Sequence, residues 1–296
     1  MTAIETGKYS LCSMRSMPIQ VFTGKRGILQ LKASWKNNWK HYLQEALGLA
    51  IFMISACFFG AMLEGKTMWH QAIPNSFTRT VLMGILMGAT ALFIFYSPWT
   101  SPSGSHINPA VTLSFFRLGA MCHWDLIFYI LFQIVGGTIA VYTMQQLMGD
   151  ILVTAPANSV VTVPGKTGAW PAAIMEFVIA FLTMIMVLFT SHHPKWKNYT
   201  RIIAACFVCA WVIIAGPVSG FGMNPARSFA SALPANIWTS FWIYLFMPVA
   251  GMLAAVEYFL FAMRRKKIRT TKEIRVVSIS EKPMKPFEFI LQKDKP

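Results

Sequence analysis

The chain has 296 residues, 55% of them hydrophobic and only 12% charged, and its mean hydropathy is +0.50. That composition excludes an ordinary soluble domain and points to a polytopic membrane protein. The formal charge of +15 would suit nucleic acid, but Lys and Arg gather in the two tails, where basic segments beside a membrane meet anionic lipid instead.

Residues 1–40 are basic and mixed in composition, without a periodic apolar pattern, and read as a cytoplasmic tail; no apolar signal core precedes Tyr42. Six windows then reach the ~20 apolar residues that a bilayer span requires. They are 42–62, 80–96, 126–147, 172–190, 202–218 and 241–263, and their acids are Glu45, Glu176 and Glu257. The first carries Glu45 near its start. The second contains Gly84 and Gly88, spaced for close helix packing. Ser97-Pro98-Trp99-Thr100-Ser101-Pro102 cannot continue a helix. Ser103-Gly104-Ser105-His106-Ile107-Asn108-Pro109-Ala110 follows, with Arg117 beyond it. The third span carries Gln133, read as an interhelical hydrogen bond, and Gly136-Gly137. A loop over 148–170 joins the halves, and the fourth span again has an early glutamate, Glu176. His192 and His193 form a short inner loop. The fifth span leads into Ser219-Gly220-Phe221-Gly222-Met223-Asn224-Pro225-Ala226-Arg227, the sixth starts near Trp238, and a basic tail runs over 264–296.

Both Asn-Pro-Ala triplets read as helix starts, because Asn is a favoured N-cap and Pro at the first helical position loses no hydrogen bond. The apolar runs that follow, 111–118 and 228–233, are too short to cross the ~30 Å hydrocarbon core and are expected to be half-helices. The chain thus repeats, with halves at about 41–147 and 171–263 of a channel domain spanning 41–263. Three spans per half force the second copy to be inverted, so the two half-helices enter from opposite faces and meet at the midplane. Arg117, Lys195, Lys197 and Arg201 join the basic tails on one side, which the positive-inside rule makes cytoplasmic.

Two helix N-termini meeting there place two positive dipole ends, each roughly half an elementary charge, where a cation would have to pass. The Asn108 and Asn224 oxygens are expected to accept backbone N–H groups, which aims their NH2 donors into a lumen and interrupts a proton-hopping chain. Arg227, one turn past Asn224, would hold an outer constriction with its fixed charge and five donors. His106 is expected to pack and hydrogen-bond within its loop. Cys12, Cys57, Cys122, Cys206 and Cys209 suggest no disulfide framework; Cys206 and Cys209 read as small packing residues within a span.

Two Asn-Pro-Ala boxes, the second followed by Arg227, with Glu45 and Glu176 in equivalent helices, resemble the aquaporin or major intrinsic protein family over about residues 41–263. The resemblance implies an all-α fold of six transmembrane helices and two re-entrant half-helices, one pore per protomer, and a homotetramer in the cell membrane. It implies no enzyme activity, cofactor, metal or nucleic-acid partner. It assigns Glu45 and Glu176 to bracing the re-entrant loops. Counting from Asn224 as in that family puts Val212 and Phe221 beside Arg227 in the selectivity filter, with Met87 or Gly88 as the position from the second span. Val212, Phe221 and Leu245 resemble glycerol channels, whereas Ser228, Ala232 and Tyr244 do not. The expected function is a passive channel for water and small neutral solutes that excludes protons and ions; the alternative is a channel conducting mainly glycerol. A coupled transporter would need a titratable site at midplane, and a structural membrane protein would conduct nothing. No nucleophile, metal cluster or phosphate loop suggests catalysis.

Overall fold

The computed structural model describes residues 25–278, with side chains over 27–265. Helices α1 (Lys25–Glu64), α3 (Ser76–Tyr96), α5 (His123–Met148), α7 (Ala169–His192), α8 (Thr200–Ser219) and α10 (Phe241–Ser278) are the long elements. Between them lie α2 (Met68–Ala72), α4 (Pro109–Arg117), α6 (Asp150–Val153) and α9 (Pro225–Ala235). Six helical segments among the described residues, Gly27–Glu64, Ser76–Tyr96, His123–Met148, Ala169–His192, Lys197–Ser219 and Phe241–Arg265, are long and apolar enough to cross a membrane. The packing below lies within residues up to Val256; from Glu257 the chain is a separate unit, described as the continuation of α10 to Ser278.

Local chemistry sets the helix limits. Asn75 caps α3 by accepting the Thr78 N–H, and the chain leaves the helix at Ser97, one residue before Pro98. Pro217 is tolerated inside α8, which stops at the left-handed Gly220 (φ 75°). Asn236 (φ 52°) ends α9 in the same way.

Glycines bring the helices together where their backbones touch. A Cβ on Gly136 of α5 would overlap the Ala46 backbone of α1, and one on Gly251 of α10 would overlap the Phe177 carbonyl of α7. In the same manner Gly84 and Gly88 seat α3 on α8, where a Cβ would come within 2.8 Å of the Cys209 carbonyl and 2.9 Å of its Cβ. Glycine in a helix sacrifices about 1 kcal/mol against alanine; close packing is the return in a lipid setting, where burial gives helices little reason to associate. The core joins Leu49, Met53 and Cys57 of α1 to Ile94 of α3, Val141 of α5 and Ala230 of α9. Ile85, Leu131, Ile139, Ile174 and Ile214 remain exposed on the outside of the long helices, as a lipid-facing surface requires.

One difference from the sequence reading is instructive. The segment taken as tail up to residue 40 is already helical from Lys25. Tertiary contacts hold it: Trp35 packs on Phe128 at 5.3 Å, and Asp125 of α5 accepts Asn38 Nδ2 at 3.1 Å and Tyr42 Oη at 2.6 Å. The rest of the two expected tails, 1–24 and 279–296, lies outside the described residues. Cys57, Cys206 and Cys209 are free thiols. Cys122 is disulfide-bonded, which the placement of the cysteines did not suggest.

Candidate pore site

The two loops before α4 and α9 have the same unusual backbone. Gly104 and Gly220 take φ 96° and 75°, then Ser105 and Phe221 take 49° and 50°, then Ile107 and Met223 take 43° and 47°. Left-handed conformations at residues with a Cβ require about 1–3 kcal/mol each and persist only where surrounding groups over-determine them. One buried glutamate does so in each loop. Glu45 Oε1 accepts the His106 N–H (2.9 Å) and Ser103 Oγ (2.7 Å), and its Oε2 accepts the Ile107 N–H (2.6 Å). Glu176 Oε1 accepts the Gly222 N–H (2.8 Å) and Ser219 Oγ (2.6 Å), and its Oε2 accepts the Met223 N–H. Charge-assisted bonds to a carboxylate are the strong kind, about 1.5–3 kcal/mol each. A tyrosine closes each cradle: Tyr129 donates to the Ser103 carbonyl (2.9 Å) and Tyr244 to that of Ser219 (2.7 Å).

So held, the loops deliver Asn108 and Asn224 as N-caps. Asn108 Oδ1 accepts the Ala110 N–H at 2.8 Å; Asn224 Oδ1 accepts those of Ala226 (3.0 Å) and Arg227 (3.2 Å). Pro109 and Pro225 occupy the first helical positions. The amide NH2 groups differ from the sequence expectation in one respect. Asn108 Nδ2 donates to the Met223 carbonyl (2.8 Å) and Asn224 Nδ2 to the Ile107 carbonyl (2.7 Å), so each amide commits one hydrogen to the opposite loop. The second hydrogen of each NH2 is what remains for other acceptors. These reciprocal bonds tie the N-termini of α4 and α9 to each other.

A cavity of about 500 Å³ lies beside this junction. Arg227, Phe221, Val212 and Met87 all line it, together with Ala56 and Gly60 of α1. The two candidates at the second-span position therefore separate: Met87 faces the cavity, whereas Gly88 faces Cys209 and Ala205 of α8 and does not line it. Arg227 is 8% exposed, and its Nη1 has no hydrogen-bond partner among the described residues. As a lining residue of the cavity beside apolar walls, Arg227 can donate to a passing hydrogen-bond acceptor.

His106 lies flat on Phe115, with ring centroids 4.7 Å apart, and its Nδ1 is 3.3 Å from Thr112 Oγ1. It does not line the cavity. Gln133 gives Nε2 to Glu45 Oε2 (2.8 Å) and to Thr112 Oγ1 (3.1 Å). Several contributors were missed in the sequence. Pro156, Ala157, Val160 and Val161 of the connecting loop line the cavity, and Val160 seats on Gly60. Thr162 Oγ1 donates to Ser228 Oγ at 2.9 Å, fastening that loop beside Arg227. At the cavity rim Glu64 pairs with Arg79 at 3.1 Å, and Arg79 Nη1 also donates to the Ile73 and Pro74 carbonyls. The repeated Ser103 and Ser219 were the available signal for the cradles; nothing periodic marks the connecting loop.

The chain is similar to known proteins. The profile of the family described as "Major intrinsic protein" matches residues 32–259. Aquaporin TIP2-1 of Arabidopsis thaliana is 33% identical over 172 residues, covering 57% of this chain and 67% of that protein. Aquaporin NIP1-4 of Oryza sativa subsp. japonica is 32% identical over 207 residues, covering 70% and 71%. Among solved structures, the aquaglyceroporin from Plasmodium falciparum has the same fold with a TM-score of 0.62 at 16% identity, covering 75% of this chain and 96% of that one. With the profile spanning most of its length, this chain belongs to the major intrinsic protein family.

Proposed function

We propose that this chain, a passive membrane channel for water and small solutes, conducts chiefly water along the cavity beside Arg227 and past the paired asparagines, and refuses protons and cations. The observation that carries the reading is the reciprocal Asn108–Met223 and Asn224–Ile107 bonding, which fixes two helix N-termini tip to tip. Placed within the membrane, those tips form a positive barrier to cations and orient a water by its oxygen. Arg227, Val212, Phe221 and Met87, gathered on one cavity, act as the selectivity filter. Both termini lie in the cytoplasm of a cell-membrane protein, by the distribution of Lys and Arg, and four protomers with one pore each assemble, by likeness to the family.

A second reading, conduction mainly of glycerol or a similar polyol, is favoured by the apolar side chains of Met87, Val212 and Phe221, which suit a carbon backbone better than water alone. Stopped-flow light scattering of proteoliposomes, first with sucrose and then with glycerol gradients, separates the two. A water channel shrinks rapidly in both and reswells slowly in glycerol; rapid reswelling selects the polyol reading. Shrinkage no faster than in protein-free vesicles removes both.

A further inference from the structure

The channel reading leaves one chemical feature without use: an oxidisable sulfur on the cavity that Arg227 also lines. Met87 lines the cavity with Arg227, and Met83, one turn nearer the α3 N-terminus, lines it too. Met87 is 2% exposed, so a reagent reaches its sulfur by way of the cavity. Other pore-associated groups are less open to oxidation. Met223 sulfur accepts Thr183 Oγ1 at 3.4 Å and is absent from the cavity wall, and the free thiol Cys57 is fully buried in the core.

We propose that Met87 is an oxidation site through which a hydroperoxide closes this channel. The proposal rests on the permeation reading, because hydrogen peroxide must reach Met87 along the route taken by water. The thioether sulfur attacks the peroxide; the O–O bond breaks, an S–O bond forms, sulfur loses two electrons, and the departing oxygen leaves as water. The product, methionine sulfoxide, replaces a soft apolar wall with a strongly polar one. Its oxygen is a hydrogen-bond acceptor on the wall of the cavity that Arg227 also lines. There it competes with permeating molecules for the donors of Arg227 and adds bulk and polarity to the wall between α3 and α9.

The test uses the full chain in proteoliposomes. Osmotic water permeability is measured before and after hydrogen peroxide, with dithiothreitol added afterwards to reverse thiol oxidation, and sulfoxide is located by peptide mass spectrometry. In the wild type a permeability loss of at least about threefold is expected, resistant to dithiothreitol and rising with Met87 sulfoxide. Met87→Leu, compared with its own untreated value, keeps its permeability, whereas Met83→Leu still loses it. An equal loss in Met87→Leu, recovery with dithiothreitol, or full permeability in wild-type protein with Met87 oxidised overturns the proposal. No oxidation at Met87 in a conducting channel does so as well. Untreated protein no more permeable than empty vesicles refutes the channel reading itself, and is thereby distinguished from failure of the switch alone.

Discussion

Replacing Glu176 with Gln probes the loop cradle with least change in volume. In the native loop the two carboxylate oxygens receive three donors, the N–H groups of Gly222 and Met223 and the hydroxyl of Ser219. A glutamine amide offers one oxygen. If that oxygen stays with Gly222 and Ser219, its NH2 faces the Met223 N–H, donor against donor; the flipped amide moves the conflict to the other pair. Losing one charge-assisted bond (about 1.5–3 kcal/mol) and burying one orphan donor (about 1–3 kcal/mol) destabilises the loop by about 2.5–6 kcal/mol. At about 1.4 kcal/mol per factor of ten, that shifts the braced conformation by roughly two to four powers of ten. Met223 sits at φ 47°, and its carbonyl is the acceptor for Asn108 Nδ2, so the disturbance passes directly to the junction of the two short helices. Glu176→Gln is therefore expected to lose at least about tenfold in water permeability per reconstituted protein and to melt earlier in detergent, followed by tryptophan fluorescence. Permeability within about twofold of wild type, with an unchanged melting temperature, would refute this account of the loop.

Three further outcomes are expected. Arg227→Val removes the buried guanidinium from the cavity and raises glycerol and proton leak; unchanged rates for both would remove Arg227 from the filter. Mercurials at low dose inhibit poorly, since Phe221 rather than a thiol faces the cavity, Cys57 is buried, Cys209 packs at Gly88 and the exposed Cys206 does not line the cavity; strong inhibition that persists when Cys206 and Cys209 are both replaced by Ser contradicts the placement of Phe221. Tyr42→Phe deprives Asp125 of its 2.6 Å hydroxyl donor and lowers stability by about 1.5–3 kcal/mol, seen as an earlier melt. An unaltered melting curve would show that α1 is held on α5 without that bond.

The parts legible in the sequence were those whose causes are local. Asn108-Pro109 and Asn224-Pro225 announce helix starts by capping chemistry alone, and the structure has α4 and α9 beginning there. Apolar length announced the long helices. The sequence left Met87 and Gly88 as alternatives; packing on α8 turns Gly88 toward Cys209 and leaves Met87 on the cavity. The start of α1 was hidden for a similar reason, since residues 25–41 are polar and owe their place to Asp125 and Phe128, far along the chain. The second role of the asparagine amides was equally invisible. Their carbonyl partners at Met223 and Ile107 exist only once the halves are together. Val160 and Thr162 line or fasten the cavity wall through contacts with Gly60 and Ser228, which no periodicity in the connecting loop foreshadows.

The central claim is a passage that carries water while its paired helix tips hold back protons. Its most direct test is a single vesicle preparation, loaded with a pH-sensitive dye and challenged in turn with a sucrose step and a pH step. Faster osmotic shrinkage than in protein-free vesicles, with proton entry no faster, is the expected result. No gain in shrinkage, or a proton flux that rises in step with the water flux, contradicts it.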